Sequence, residues 1–345
     1  MKIFRTVFTA FISLLLIWLI FRGANWNSVT QDITDIKFGW LFLAEITIVG
    51  SMLTRVQRWK YIVCAKTTVT YSVLFNATQI GVMGNYILPG RLGEIIRALV
   101  LSRLSAFSLV RSIALVAFDR LTDLIALLIV LLIATASFAP INDIILPPEI
   151  YGTPIRAELL RTVAWGTAFI SIFILVILIL FFLFYEALNR FIFLVINPLS
   201  RNFAKWFAKL ILEFSEGLQI FGRKDHLLKA FLFSLITWAL MVLSYFFVFL
   251  SFDLETHWTT YFVLTAFLAI AISIPGAPGF VGQFHFAVTI TIVALLPETD
   301  IDTARAVSII AHLLNFIPAV VIGSFCLYFT KLDLFSLRKA RKNLS

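Results

Sequence analysis

Pro89-Gly90-Arg91-Leu92-Gly93 and Pro275-Gly276-Ala277-Pro278-Gly279 are two copies of one pattern, each set in apolar sequence behind Leu88 or Ile274. Proline removes a backbone donor and glycine weakens a helix. Pro89, Gly90 and Gly93 in one copy, and Pro275, Gly276, Pro278 and Gly279 in the other, therefore predict two interrupted helices. At membrane depth, interrupted backbone survives only where it is buried in protein or lines a wet cavity. Two such breaks in corresponding positions of two halves mark the centre of a transporter.

The surrounding composition is that of a membrane protein. The chain is 61% hydrophobic and 14% charged, with 36 Phe among 345 residues. Runs of eighteen or more apolar residues recur, each enough to cross a hydrocarbon core of ~30 Å. With no long polar tract, residues 1–345 read as a single transmembrane domain without a soluble catalytic domain. Cys64 and Cys326 carry no metal or redox spacing, so they read as packing residues, and neither a metal nor a cofactor is expected. A formal net charge of +9 first suggests nucleic acid. The basic residues instead follow the positive-inside rule, which points to membrane and away from nucleic acid.

Charge and hydropathy set the order of segments. A first span covers about Phe4 to Phe21, followed by a polar linker from Arg22 to Lys37. A second span, about Phe38 to Thr54, ends at the cluster Arg55, Arg58, Lys60 and Lys66. Tyr71 to Leu88 leads into the first break, and Arg91, Arg97 and Arg103 follow it, so basic residues flank this hairpin on both sides and it dips in from the cytoplasm. A third span, about Ser112 to Phe138, reaches an external loop at 139–161 containing Pro147 and Pro148. A fourth span, about Thr162 to Tyr185, returns. Glu186 to Lys229 alternates apolar and basic residues, as expected of a helix on an anionic lipid surface. A fifth span, about Phe231 to Leu250, precedes Asp253 and Glu255. Tyr261 to Ile274 and Phe284 to Leu296 form the second hairpin, flanked by Glu298, Asp300 and Asp302 and so entering from outside. The last span, about Ala306 to Phe329, ends in a basic tail.

Of 28 Lys and Arg, 22 fall inside, five outside (Arg22, Lys37, Arg156, Arg161 and Arg305) and one, Arg120, within the membrane. Both termini are then cytoplasmic, in an inner membrane. The expected fold is an all-α polytopic membrane protein. It has two inverted-topology halves, about 1–140 and 160–330, each of three spans plus one re-entrant hairpin. Pro89 and Pro275 lie 186 residues apart, and the same offset carries the second span onto the fifth and the third onto the sixth.

Three clusters carry candidate chemistry. Arg91, Glu94 and Arg97 are spaced i, i+3, i+6 on a helix restarting after the first break, where free amides and the dipole favour phosphate. Asp119, Arg120 and Asp123 open the third span; Arg120 can bridge to Asp123, and unpaired charges at this depth cost at least ~2.5 kcal/mol each. Gln283 and His285 follow the second break. Glu45, His312 and Asn315 should face the bundle interior. No nucleotide-binding loop and no hydrolase or metalloprotease motif is present.

At PGRLGEIIRA (89–98), DRLTDL (119–124) and PGAPGFVGQFH (275–285) the chain resembles the transmembrane region of lysylphosphatidylglycerol synthases, a flippase-like family also found near archaeal dolichol-phosphate glycosyltransferases. The resemblance covers nearly the whole chain. Members with synthase activity add a soluble aminoacyl-transfer domain, which these 345 residues lack. The family often has an acidic residue in place of His285 and Glu in place of Asp119. The expected function is translocation of a phosphate-containing or polyprenyl-linked lipid, without enzymatic activity. Arg91, Arg97 and Arg120 would hold phosphate, Glu94 and Gln283 would contact the substrate, and Asp119, Asp123 and His285 would shape the cavity and couple proton movement. An intramembrane glycosyl- or group-transferase with Asp119 or Glu94 as base, or an accessory subunit of a glycosyltransferase, is the alternative. Expected partners are a membrane lipid, an anionic lipid surface, and a second copy or a lipid-modifying enzyme.

Overall fold

A computed structural model of the protein describes residues 2–64, 68–88, 90–137, 144–145, 154–155, scattered positions between 158 and 184, 223–274 and 276–332. Pro89, Pro275, most of the fourth span, residues 186–222 of the surface segment and the tail from 333 onward lie outside the described residues.

Helix α1 (Lys2–Phe21) meets the short α2 (Trp26–Thr34) at a bend of 86°. The sequence predicted only a polar linker here. A helix forms because the Asn25 side chain accepts from the amides of Asn27 at 3.2 Å and Ser28 at 3.5 Å, using two donors that a helix start leaves free. The end of α1 is closed from a distance. Arg305 Nε donates to the Ile20 carbonyl at 2.6 Å and Nη2 to that of Arg22 at 3.1 Å, while Nη1 pairs with Asp302 at 2.5 Å. Arg305, expected in an external flank, is thus fully buried.

Helices α3 (Phe38–Val63) and α7 (Lys224–Ser251) form the most extensive pairing. They are antiparallel along their whole length. Lys37 and Asp253 pair at one end, the Thr54 and Thr237 hydroxyls meet at 2.8 Å, and the Tyr61 and His226 rings meet at 5.6 Å near the other end. Helix α3 continues past the expected end at Thr54 because Val56, Trp59, Ile62 and Val63 give it a buried stripe at helical spacing.

Helices α4 (Tyr71–Ile87) and α5 (Gly93–Leu104) are the first hairpin. Helix α8 (Trp258–Ser273), a 3-10 turn at Pro278–Phe280 and α9 (Gln283–Leu295) are the second. Helices α6 (Leu109–Ser137) and α10 (Ile301–Thr330) follow their respective hairpins. Helix α4 packs on α10 and α8 packs on α6, so each hairpin leans on the helix that follows the other. Strands Ile144–Ile145 and Pro154–Ile155 form a two-residue antiparallel ladder in the loop expected to be external.

Both breaks turn the same way. Gly90 and Arg91 have φ of +76° and +55°, and Gly279 and Phe280 have φ of +75° and +56°. The turns are 189 residues apart rather than 186, so the second break is longer and α9 starts later relative to its turn. Gly93 is required for close approach: a Cβ there would overlap the Gly81 carbonyl and meet Asn85 Oδ1 at 2.5 Å. Gly93→Ala is expected to lower stability by about 1–3 kcal/mol, the usual scale of overpacking, measured as thermal unfolding in detergent.

Helices α3, α7 and α10, together with the segment Pro278–Leu295, are long and apolar enough to cross a membrane; the bent pair α1–α2 makes a fifth candidate. This is a multi-pass helical membrane protein. Pro278–Leu295, expected as one arm of a re-entrant hairpin, passes the length test, and 72% of it is buried inside the protein, which shields its irregular start from lipid. One core surrounds the first hairpin, with Trp59, Ile80 and Leu99; another surrounds the second, with Leu264, Phe284 and Val288.

Candidate functional site

Between these cores lies a cavity of about 380 Å³. Arg55, Asn85, Arg91, Glu94, Arg120 and Asp123 line it from α3, the first hairpin and α6. Tyr245, Leu268, Phe280, Phe284 and Asn315 line it from α7, the second hairpin and α10. One set is charged and the other has no ionisable group except a phenol, so the cavity is polarised between the two halves.

Behind the charged set is a dense ionic network. Arg58, fully buried, donates Nε to Asp119 Oδ1 at 2.7 Å and Nη2 to Oδ2 at 3.1 Å, and Nη1 to Asp123 Oδ1 at 2.5 Å. Arg97 donates Nη1 to Asp119 Oδ2 at 2.5 Å, with its guanidinium 3.8 Å from the centre of the Trp59 ring. Arg120 bridges Asp123 Oδ2 at 3.1 Å and Glu94 Oε1 at 3.0 Å. Trp238 Nε1 adds a bond to Asp123 Oδ1 at 3.1 Å. Charges this deep persist only when paired and hydrogen-bonded, and here each carboxylate meets at least one guanidinium. Two cavity-facing guanidinium groups stand apart: among the described residues neither Arg55 nor Arg91 has a carboxylate within ion-pair distance. Arg91 instead lies over the Phe280 ring at 5.9 Å, joining the tips of the two hairpins.

The predicted site residues divide into three groups. Arg91, Glu94, Arg120 and Asp123 reach the cavity. Asp119 and Arg97 are buried in the network behind it. Gln283 and His285 are not among the cavity-lining residues. Gln283 Nε2 donates to the carbonyls of Ala271 at 3.3 Å and Ile274 at 3.0 Å, closing the end of α8. The His285 ring packs on that of His312 at 4.8 Å and on Phe21 at 5.8 Å. The face expected to unite Arg91, Glu94 and Arg97 does not form, because α5 starts at Gly93 and Arg91 sits in the left-handed turn before it. Nor are all the amides at that helix start free for a ligand: Gly93 N donates to Asn85 Oδ1 at 2.9 Å.

The sequence reads Arg55 and Arg58 as part of a cytoplasmic basic cluster; in the structure Arg55 lines the cavity and Arg58 is the centre of the network. Their spacing of three, followed directly by Trp59 at the next position of a buried stripe, is the signal that places them on an interior face. Tyr245 had no signal beyond its position in an apolar helix.

Comparison with known proteins matches the chain to membrane proteins. A UPF0104 membrane protein from Methanocaldococcus jannaschii is 25% identical over 261 residues, covering 75% of this chain and 98% of that protein. The model of the family described as the lysylphosphatidylglycerol synthase TM region matches residues 6–323. With that match running from α1 through most of α10 and spanning both hairpins, the chain belongs to the lysylphosphatidylglycerol synthase TM region family.

Proposed function

We propose that the protein moves a phosphate-bearing lipid between leaflets, its headgroup passing through the cavity between the hairpins while its chains stay in lipid. The observation that carries this reading is the unneutralised charge. Among the described residues, Arg55, Arg58, Arg91, Arg97 and Arg120 are accompanied by three carboxylates, Glu94, Asp119 and Asp123, an excess of two positive charges in and behind a cavity within the membrane. Such an excess is costly in low dielectric and is relieved by an anion that accepts charge-assisted hydrogen bonds. A phosphate group on a lipid fits both the charge and the setting. The membership of a lipid-related membrane family supports the same reading.

The two halves form an inverted repeat in this account. Advancing α3 by 186 residues starts it at Lys224, the first residue of α7, and α3 and α7 run antiparallel. Exchanging α3 with α7, α4 with α8, α5 with α9 and α6 with α10 also maps the contacts onto one another: α4 on α10 becomes α8 on α6, and α5 on α6 becomes α9 on α10. Both termini are then on the cytoplasmic side of the inner membrane. In a cysteine-free background, Glu255→Cys and Glu298→Cys should react with an impermeant maleimide in intact cells, and Arg103→Cys only after permeabilisation. The reverse pattern would overturn the orientation.

A transferase would need a carboxylate free to act as base. Both oxygens of Asp119 and of Asp123 are occupied by guanidinium groups, whereas Glu94 Oε2 has no hydrogen-bond partner among the described residues. Mass spectrometry of vesicle lipids separates the readings. Translocation leaves the reporter lipid chemically unchanged in the opposite leaflet; a new covalent product from a donor lipid would assign the protein to the enzymes.

A further inference from the structure

The far side of the cavity raises a question that phosphate binding leaves open. Tyr245 is 1% exposed and lines the cavity, yet among the described residues its hydroxyl has no hydrogen-bond partner. Burying a phenol hydroxyl without a partner is unfavourable, and Tyr normally finds one when buried. Two aromatic residues of the same buried cluster, Phe280 and Phe284, line the cavity with it, as does Asn315, whose amide donates to Ala311 O at 2.9 Å. Tyr86 links this group to the cationic side: it also lines the cavity, and its ring meets that of Phe280 edge-on at 5.2 Å. Among the described residues no carboxylate from the second half lines the cavity, and the two that do line it, Glu94 and Asp123, each pair with Arg120.

We infer that Tyr245, with Phe280 and Phe284, forms a second subsite for an uncharged, hydroxyl-bearing headgroup attached through the phosphate, so that the cavity selects phosphodiester lipids of the polyol or sugar type over those bearing an amine. This deepens the translocase reading and rests on it. The Arg55–Arg91 pair holds the phosphate. The Tyr245 hydroxyl exchanges a hydrogen bond with a headgroup hydroxyl, and the aromatic rings cover the apolar faces of the polyol carbons. An ammonium group beside Tyr245 would find no carboxylate on that wall of the cavity among the described residues and would add a positive charge to an existing surplus.

The test uses the full chain in detergent with four added lipids of identical acyl chains: phosphatidylglycerol, phosphatidylinositol, phosphatidic acid and phosphatidylethanolamine, with binding read by native mass spectrometry. One net hydrogen bond corresponds to a few-fold to roughly ten-fold in affinity. Phosphatidylglycerol and phosphatidylinositol should therefore bind about five-fold more tightly than phosphatidic acid, and by a larger factor than phosphatidylethanolamine. A preference for only one of the first two distinguishes a glycerol from a ring polyol as the better fit, and either supports the subsite. Tyr245→Phe should remove the advantage over phosphatidic acid while leaving phosphatidic acid binding unchanged, an internal control for folding. Equal binding of phosphatidylethanolamine and phosphatidylglycerol, or an advantage that survives Tyr245→Phe, would overturn the second subsite while leaving the phosphate reading in place. Absence of binding of any of the anionic lipids would instead count against the phosphate reading itself.

Discussion

Arg58→Met is expected to destabilise the protein more than any other single change in the cavity wall, by about 3–5 kcal/mol, the scale for removing one partner of a buried ion pair. Arg58 is 0% exposed and, among the described residues, is the one side chain hydrogen-bonded to both Asp119 and Asp123. Without it, Asp119 keeps only Arg97 and the more distant Arg120, and Asp123 keeps Arg120 and Trp238. Arg58→Lys is expected to recover little, because an ammonium cannot span two carboxylates with a planar fork. Arg120→Met should cost far less, about 1 kcal/mol or below, since its side chain is 35% exposed and each carboxylate it touches has other partners. Thermal unfolding in detergent of the three variants checks the order; equal losses for Arg58→Met and Arg120→Met would show that the network is not centred on Arg58.

The double variant Arg55→Gln, Arg91→Gln is expected to do the opposite: to remove lipid movement while sparing the fold. Neither guanidinium is in an ion pair among the described residues, so no carboxylate is orphaned by their loss. Hydrogen bonds to charged groups contribute about 1.5–3 kcal/mol each. Removing one such bond should slow movement by at least ~10-fold, and both together by more. The measurement is a leaflet assay with reporter lipid in reconstituted vesicles, alongside thermal unfolding of the same preparation. Unfolding near the wild-type temperature with lost movement supports an anion site; movement at the wild-type rate would remove the phosphate role of these two residues.

Much of the architecture was legible because it rests on chain-local chemistry. Pro-Gly breaks in apolar sequence announce an interrupted helix, and the repeated turns at Gly90–Arg91 and Gly279–Phe280 bear that out. The Arg120–Asp123 bridge was legible from a spacing of three within one helix. What escaped depends on partners distant in sequence. Arg58 reads as a positive-inside residue until α6 brings Asp119 to it from 61 positions away. Arg305 reads as an external flank until its place against the end of α1 is known. Gln283 and His285 sit at membrane depth beside the break, which marks polar residues as functional. Gln283 bonds to the Ala271 and Ile274 carbonyls, a local repair of an interrupted helix, and the His285 ring packs on His312; a sequence does not distinguish either arrangement from a ligand site.

The central claim is that lipid headgroups pass through the cavity between the hairpins, and a before-and-after measurement on one preparation tests it most directly. Ser273 lines the cavity, and its hydroxyl donates only to the Ala269 carbonyl at 2.6 Å. In a background with Cys64 and Cys326 replaced, Ser273→Cys protein is reconstituted into vesicles and its lipid movement is recorded. A bulky maleimide is then added, its stoichiometric attachment is verified by mass spectrometry, and movement is recorded again. The account predicts movement before labelling and its loss afterwards, with unfolding temperature unchanged. Undiminished movement through fully labelled protein would place the path of the headgroup elsewhere and contradict the account.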